Sequence, residues 1–223
     1  MSHDHPDHEH GHSHEHGHEH GHEHGEGAHL SDMDVRVRAL ETLLTQKGYV
    51  DPLALDRIVE TYTEEIGPRN GAHVVARIWS DPDFRAWALE DGTAAIHSLG
   101  YQSRQGEHMV VVENRAASAD APGLHHMVVC TLCSCYPWSV LGLPPLWYKS
   151  PAYRSKAVID PRGTLADFGV ALPENTGVEV HDSTAETRYL VVPLRPERTA
   201  GWSEEKLAAI VTRNSMIGTE ILS

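Results

Sequence analysis

The sequence predicts an α+β fold in which a disordered tail precedes a helical arm and then a mixed, layered α/β globular domain. Three observations carry this prediction. Residues 1–29 consist mostly of His, Glu and Gly and have no apolar pattern. Residues 30–104 show helical spacing of apolar residues between capping residues, whereas residues 105–223 alternate β-branched runs with helical segments. We therefore place the boundaries of the three regions after residues 29 and 104.

The first region is a His-rich tail with almost nothing to bury. Twelve of the 18 histidines precede residue 30, alternating with other residues from His8 to His24, together with seven acids and no Lys or Arg. This composition predicts disorder. Its imidazoles and carboxylates also suit divalent ions such as Ni²⁺, Co²⁺ and Zn²⁺. The segment is either a solvated appendage or expression tag, or a local reservoir of such a metal ion.

Five helices are predicted in the arm. Gly48 ends the first, and Asp51-Pro52 supplies the N-cap and first residue of the second. Gly67-Pro68 ends the second helix, Asp81-Pro82 starts the fourth, and Gly100 closes the fifth. The predicted helices cover about residues 34–47, 52–66, 71–80, 82–89 and 94–99.

The residue pattern changes after Glu107, where runs of residues that favour β-strands begin. The predicted strands cover residues 108–113, 127–129, 177–181 and 189–194. Residues 151–169 are predicted to be helical around a break at Pro161-Arg162-Gly163, and a last helix runs from Ser203 through Val211. Residues 116–124, rich in Ala, Ser and Gly, are predicted to form a loop.

Composition excludes several classes of protein. The formal net charge of −14 argues against nucleic acid as a partner, and half of that charge lies in the tail. No apolar run approaches transmembrane length, and the N-terminus has neither a basic nor an apolar segment of the kind found in signal peptides. The chain has three cysteines, and cysteines bind a metal only as reduced thiols, so we expect a cytoplasmic protein that binds no membrane.

All three cysteines lie within six positions, Cys130-Thr131-Leu132-Cys133-Ser134-Cys135, which we call the claw. An odd number of cysteines argues against a disulfide framework, and two cysteines one residue apart cannot pair without strain. Soft thiolates select transition metals, so the claw predicts one metal ion. A four-ligand zinc site would have to borrow His125 or His126.

A second arrangement of the claw uses the backbone. The sulfurs of Cys133 and Cys135 and the deprotonated amide nitrogens of Ser134 and Cys135 can lie in one plane, with the Cys130 sulfur on one axial side. The opposite position then stays open for water or substrate. Deprotonated amides need a strongly Lewis-acidic ion, so this arrangement implies a trivalent metal.

The segment Val129–Trp138 resembles the metal-binding segment of the nitrile hydratase alpha subunit. Thr131 and Tyr136 match the cobalt-type pattern C-T-L-C-S-C-Y, whereas the iron type resembles C-S-L-C-S-C-T. The resemblance covers nearly everything after about residue 33. It includes residues 67–72, 91–93, 105–107, 141–145, 147–150, 153–154, 182–186 and 188–191.

The resemblance implies a ligand set and its chemical state. The implied ion is Co(III), with Fe(III) as the less favoured alternative, held by Cys130, Cys133, Ser134 and Cys135. Cys133 would be oxidised to a sulfinic acid and Cys135 to a sulfenic acid.

Further residues around the claw receive roles from the resemblance. Gln105 would hydrogen-bond near the substrate pocket and Trp138 would wall it, although an exposed turn residue and a core tryptophan are the ordinary alternatives. Asp182, Glu186 and Arg188 would orient the ligands near a subunit interface, or remain solvated charges.

The activity implied is hydration of a small-molecule nitrile to an amide. The nitrile would bind at the open axial position, where the metal polarises its triple bond. Attack on carbon comes either from a metal-associated water or from the sulfenate oxygen of Cys135, and we favour the sulfenate because it lies beside the substrate. The implied partners are a beta subunit, in an αβ or (αβ)₂ assembly, and a cobalt-insertion activator protein.

Two other functions fit parts of the sequence. Thiocyanate hydrolase has a metal-bearing subunit with the same claw, and thiocyanate is likewise a linear C≡N species. A metal-storage or metal-delivery protein would instead depend on the His-rich tail and would bind many labile divalent ions.

Overall fold

A computed structural model describes residues 32–102, 107–133 and 135–223, and the side chains of all of these except 34 and 63–65. The chain divides into two compact units, one ending at Val50 and the other spanning Asp51–Ser223. The predicted tail, residues 1–29, lies outside the described part, and the predicted boundaries after residues 29 and 104 remain predictions. Among the described residues, no helix is long and apolar enough to cross a bilayer.

Helices form most of the regular structure of the described residues. They are α1 (Asp32–Gln46), α2 (Pro52–Glu60), α3 (Arg69–Ser80), α4 (Pro82–Glu90), α5 (Gly92–Ser98), α6 (Trp138–Leu141), α7 (Pro151–Ile159), α8 (Pro161–Asp167), α9 (Glu204–Ile210) and α10 (Arg213–Ile217). A π-helical turn, Thr61–Ile66, continues α2, and 3₁₀ turns cover Leu146–Lys149 and Glu197–Thr199.

The predicted caps account for the helix ends. The Asp51 carboxylate accepts from the Leu53 N–H, and Asp81 accepts from the two N–H groups that follow Pro82 at the start of α4. Gly48 and Gly100 adopt positive φ of 70° and 85°, as expected of glycines that end helices.

Four strands form two parallel pairs. They are β1 (His108–Glu113), β2 (Gly123–Val129), β3 (Thr176–Asp182) and β4 (Thr187–Val192). β1 pairs with β4, and β2 pairs with β3 in a register that sets His126 opposite Glu179 and Val129 opposite Asp182. The apolar core is built from buried side chains of α3, the strands, α9 and α10, including Val75, Leu190, Leu207 and Met216. The α+β fold class is therefore confirmed.

Some element limits differ from those predicted, for local reasons. β2 starts at Gly123, inside the predicted loop, because the Gly123 N–H bonds to Asn175 and Leu124 bridges to Arg115. β4 ends at Val192 because Pro193 has no N–H to continue the ladder. The short helices α6 and α10 were not predicted, although Thr212 and Ser215 form a capping box at the start of α10.

Candidate metal centre

The claw follows β2 directly and brings the three predicted cysteine sulfurs together. The Sγ atoms of Cys130 and Cys133 are 3.4 Å apart, and those of Cys133 and Cys135 are 3.1 Å apart. All three lie within 4.8 Å of one another. These distances exceed a disulfide bond of about 2.05 Å, so the cysteines are close without being joined.

The spacing of the sulfurs fits a single transition-metal ion. Sulfurs bonded to one ion at about 2.3 Å and at right angles would lie about 3.3 Å apart. The Cys133 N–H donates to the Cys130 sulfur over 3.3 Å, which folds the loop around that point. The predicted planar ligand set also needs the Ser134 nitrogen, and Ser134 lies outside the described residues, so that set remains a prediction.

The three cysteines differ in exposure. Cys130 is buried, Cys135 is half-buried and Cys133 is exposed. Burial raises the pKa of the Cys135 thiol, and its hydrogen bond with Cys133 adds to this, while the charge of Arg188 opposes it. The thiol form of Cys135 is therefore favoured, and a cation that binds its sulfur has to displace the proton.

Asp182 fastens the first turn of the claw. Its Oδ1 accepts from the Thr131 N–H over 2.9 Å and its Oδ2 accepts from the Thr131 hydroxyl over 2.5 Å. Asp182 ends β3, opposite the last residue of β2. Asp182 can therefore orient the site, as predicted, by holding Thr131 beside Cys130.

Two side chains hold backbone carbonyls of the claw. The Tyr148 hydroxyl donates to the Cys135 carbonyl over 2.9 Å, and Arg154 Nη1 donates to the Cys133 carbonyl over 3.1 Å. Burial raises the pKa of Tyr148, so its hydroxyl stays protonated and remains a donor. The sequence does not predict a role for either residue, because nothing in their spacing tells which carbonyl they reach.

Arg188 is buried behind the claw, and Glu186 is not part of it. Arg188 Nε donates to the Tyr136 carbonyl over 3.4 Å. Glu186 is exposed and its carboxylate accepts from the nearby Thr184 hydroxyl. Of the three charged residues predicted to orient the ligands, Asp182 and Arg188 thus contact backbone of residues 131–136, whereas Glu186 makes a local turn.

Of the two predicted pocket residues, the structure describes Trp138 but not Gln105. Trp138 begins α6, three residues after Cys135, and its half-buried ring packs edge-to-face on Tyr62 at 5.2 Å. Gln105 lies outside the described residues. Both assignments remain predictions.

Neither upstream histidine completes the claw. His125 is buried, with Nε2 2.7 Å from the Gly218 carbonyl and Nδ1 3.3 Å from the Asn114 amide nitrogen. His126 Nδ1 lies 2.8 Å from His181 Nε2. Among the described residues the claw therefore gathers cysteines alone, and a zinc site completed by either histidine is not what they form.

Comparison with known proteins gives a consistent result. The family model described as the nitrile hydratase alpha chain matches residues 31–220. The chain is 52% identical over 189 residues to the alpha subunit of the high-molecular-weight cobalt-containing nitrile hydratase of Rhodococcus rhodochrous, covering 84% of this chain and 90% of that one.

Two further similarities bear on the choice between activities. The gamma subunit of thiocyanate hydrolase from Thiobacillus thioparus is 41% identical over 198 residues, covering 86% of this chain and 81% of that one. The structure of a double mutant of the Fe-type nitrile hydratase from Comamonas testosteroni Ni1 superposes with a TM-score of 0.77 at 39% identity, covering 85% of this chain and 90% of that one.

Proposed function

This chain belongs to the nitrile hydratase alpha-chain family, and from that membership we propose that it is the metal-bearing subunit of an enzyme that hydrates nitriles to amides. The observation that carries the proposal is the convergence of the Cys130, Cys133 and Cys135 sulfurs within 4.8 Å in a loop fastened by Asp182 and Tyr148. The match to the family model and the identity to its relatives confirm the family inferred from Val129–Trp138.

The ion proposed for the claw is Co(III), with Fe(III) as the less favoured alternative. Thr131 and Tyr136 match the cobalt-type pattern, and a relative named as cobalt-containing is more similar in sequence than the iron-type structure. When bound, the ion would supply Lewis acidity that polarises the nitrile carbon for attack. Its ligands would be the three sulfurs and the backbone nitrogens of Ser134 and Cys135.

Oxidation of Cys133 to a sulfinic acid and of Cys135 to a sulfenic acid completes the proposed site. The pattern of exposure supports this assignment, because Cys130 is buried while Cys133 and Cys135 reach the surface to different degrees. Oxidants therefore have access to the two cysteines that are assigned to react.

The remaining proposed roles in the reaction belong to other groups of this chain. The sulfenate oxygen of Cys135 is the proposed nucleophile, and the Tyr148 hydroxyl fixes the backbone of the same residue. Trp138 is proposed to wall the substrate pocket and Gln105 to hydrogen-bond beside it.

A beta subunit is the proposed partner, in an αβ or (αβ)₂ assembly. Several large apolar side chains of α1 and of α2 are exposed, including Leu40, Leu43, Leu53 and Ile58. Each of these helices offers apolar surface of the kind that a partner covers. We also propose a cytoplasmic location and loading by a cobalt-insertion activator protein.

Thiocyanate hydrolysis is the second candidate activity, favoured by the similarity to the thiocyanate hydrolase gamma subunit. Metal storage or delivery by the His-rich tail is a candidate of a different class, supported by the tail's composition alone.

The deciding experiment co-expresses the full chain with the beta subunit of its own organism in cobalt medium and assays acrylonitrile and thiocyanate side by side. We expect amide formation, one tightly held cobalt per chain, and a claw peptide whose intact mass is increased by three oxygen atoms. The Cys135→Ser variant and the isolated chain serve as inactive controls. Turnover of thiocyanate alone would favour the second activity, and labile divalent metal without turnover of either compound would favour storage.

A further inference from the structure

A second group of potential metal ligands lies on the β2–β3 pair, outside the claw. It consists of His126, Glu179 and His181, whose ligand atoms all lie within 4.8 Å of one another. His126 Nδ1 is 2.8 Å from His181 Nε2, and each of these nitrogens is 3.9 Å from an oxygen of the Glu179 carboxylate. Nothing in the proposed nitrile chemistry uses these three side chains.

The register of the two strands produces this arrangement. His126 of β2 stands opposite Glu179 of β3, and His181 follows two residues later on β3. Residues two apart on a strand point to the same face, so all three side chains converge on one side of the ribbon. The sequence alone could not bring them together, because the pairing of β2 with β3 is needed.

The His181 ring and the His126 backbone make contacts outside the cluster. His181 stacks on Tyr189 with ring centroids 4.8 Å apart and an angle of 29° between the planes. The backbone N–H of His126 donates to Asn114 Oδ1 over 2.7 Å. Glu179 is different, since its side chain is 55% exposed and can turn toward the two imidazoles from the solvent side. The group thus combines two largely buried imidazoles with one exposed carboxylate.

The protonation state suits ligation. Burial lowers the pKa of both His126 and His181, so the neutral imidazoles that bind metals are favoured near neutral pH. In the metal-free state one of the two facing nitrogens carries the proton of their hydrogen bond. A bound cation would replace that proton and separate the nitrogens to roughly 3.3 Å, the spacing of two ligands about 2.0 Å from a tetrahedral ion.

We propose that His126, Glu179 and His181 form a binding site for a divalent transition metal such as Zn²⁺, Co²⁺ or Ni²⁺, separate from the claw. Two imidazoles and one carboxylate suit these ions, whereas Ca²⁺ and Mg²⁺ prefer oxygen ligands alone. Three protein ligands would leave the fourth position of a tetrahedral ion to water or to another ligand. The site shares no ligand with the claw, and His126 lies about 13 Å along β2 from Cys130.

The test locates zinc directly. Crystals of the full-length protein with its partner subunit are soaked in millimolar ZnCl₂, and anomalous data are collected above and below the zinc edge. We expect a peak between His126 Nδ1 and His181 Nε2. The method distinguishes zinc from cobalt in the claw and is unaffected by zinc on the tail, since the readout is a position. Absence of a peak there in the wild-type protein would overturn the proposal.

Variants identify the ligands. Glu179→Gln keeps the shape of an exposed side chain and so should not disturb folding. It should lower zinc affinity at least about tenfold, so that at the concentration that half-fills the wild-type site the occupancy falls below about one tenth. His181→Gln should do the same. His108→Gln is the matched control, because His108 is an exposed strand histidine that pairs with Thr93 instead. Full occupancy in Glu179→Gln and His181→Gln would contradict the assignment, and because zinc density rather than nitrile hydration is measured, this result is independent of the proposed activity.

Discussion

The carboxylate of Asp182 accepts both the backbone N–H and the hydroxyl of Thr131, at 2.9 and 2.5 Å. This double contact joins the end of β3 to the first turn of the claw. It makes the geometry of the cysteine loop depend on a strand that is remote in sequence.

Replacing Asp182 by Asn should therefore loosen the claw without unfolding the protein. The amide keeps one acceptor but loses the charge, and because Asp182 is exposed we expect a loss of only about 1 kcal/mol, or about fivefold in metal affinity. Cobalt content per chain at limiting cobalt measures the effect. Thr131→Val should give a smaller loss and Asp120→Asn, in an exposed loop, none. Equal cobalt content in the three variants and the unaltered protein would refute the role of the carboxylate.

Replacing Cys130, Cys133 or Cys135 by Ser should abolish metal retention and turnover. Each substitution removes one of the converging sulfurs, and we expect cobalt content to fall at least about tenfold by elemental analysis. Leu132→Ala is the matched control, because this side chain lies in the same loop but is 87% exposed. Full cobalt and activity in Cys130→Ser would show that the buried cysteine is not the axial ligand.

Replacing Tyr148 by Phe should lower both the stability of the fold and the rate of turnover, because its hydroxyl also positions the claw. The variant loses the hydroxyl that donates to the Cys135 carbonyl, at a cost of about 1 kcal/mol or 2–4 °C in Tm. Tyr153→Phe loses a comparable bond, to the Val128 carbonyl, at 2.6 Å. We expect similar losses of Tm in calorimetry but a lower rate of nitrile hydration per bound cobalt in Tyr148→Phe alone. The same rate per cobalt in both variants would argue against a positioning role for Tyr148.

Replacing Gly218 by Ala should be far more damaging than replacing Gly169 by Ala. Both glycines have positive φ, 90° and 77°, which disfavours a side chain by about 1–2 kcal/mol. A Cβ at residue 218 would also collide with the His126 carbonyl oxygen, whereas nothing lies within 4 Å at residue 169. We expect a loss above about 4 kcal/mol for Gly218→Ala in denaturant unfolding. Equal losses would mean that the chain around Gly218 relaxes freely.

Deleting residues 2–29 should leave folding and activity per bound cobalt unchanged, because this segment has almost no apolar surface to bury. If the tail concentrates cobalt, the truncated protein should carry less claw metal than the full chain when cobalt is scarce in the medium. The two should match when cobalt is plentiful. Equal loading at every concentration would identify the tail as a solvated appendage or tag.

Local chemistry made much of this fold predictable. The Asp-Pro pairs at 51–52 and 81–82 and the glycines at 48 and 100 set helix ends through their own backbone preferences, and β1 was predicted residue for residue. The convergence of the three cysteine sulfurs was predictable because these cysteines are neighbours in sequence.

The features that could not be predicted depend on contacts between segments that are remote in sequence. The start of β2 is set by pairing with β3, which no local pattern records. The contacts of Tyr148 and Arg154 with claw carbonyls, and the meeting of His126 with His181, likewise require the folded arrangement. Gln105, Ser134 and the tail lie outside the described residues, and their roles remain predictions.

The link between Thr131 and Asp182 spans 51 positions, which gives the biosynthesis of the site a time order. A ribosome adding about 5–20 residues per second needs about 3–10 s to travel from one to the other. Once Cys135 has been added, the nascent chain carries all three thiols for the rest of that interval but not yet the carboxylate that contacts Thr131. A metal ion that binds early meets a loop that is not yet held by Asp182, whereas one that binds later meets the folded loop. The rate of translation therefore sets the time during which an ion can bind without selection by the folded geometry.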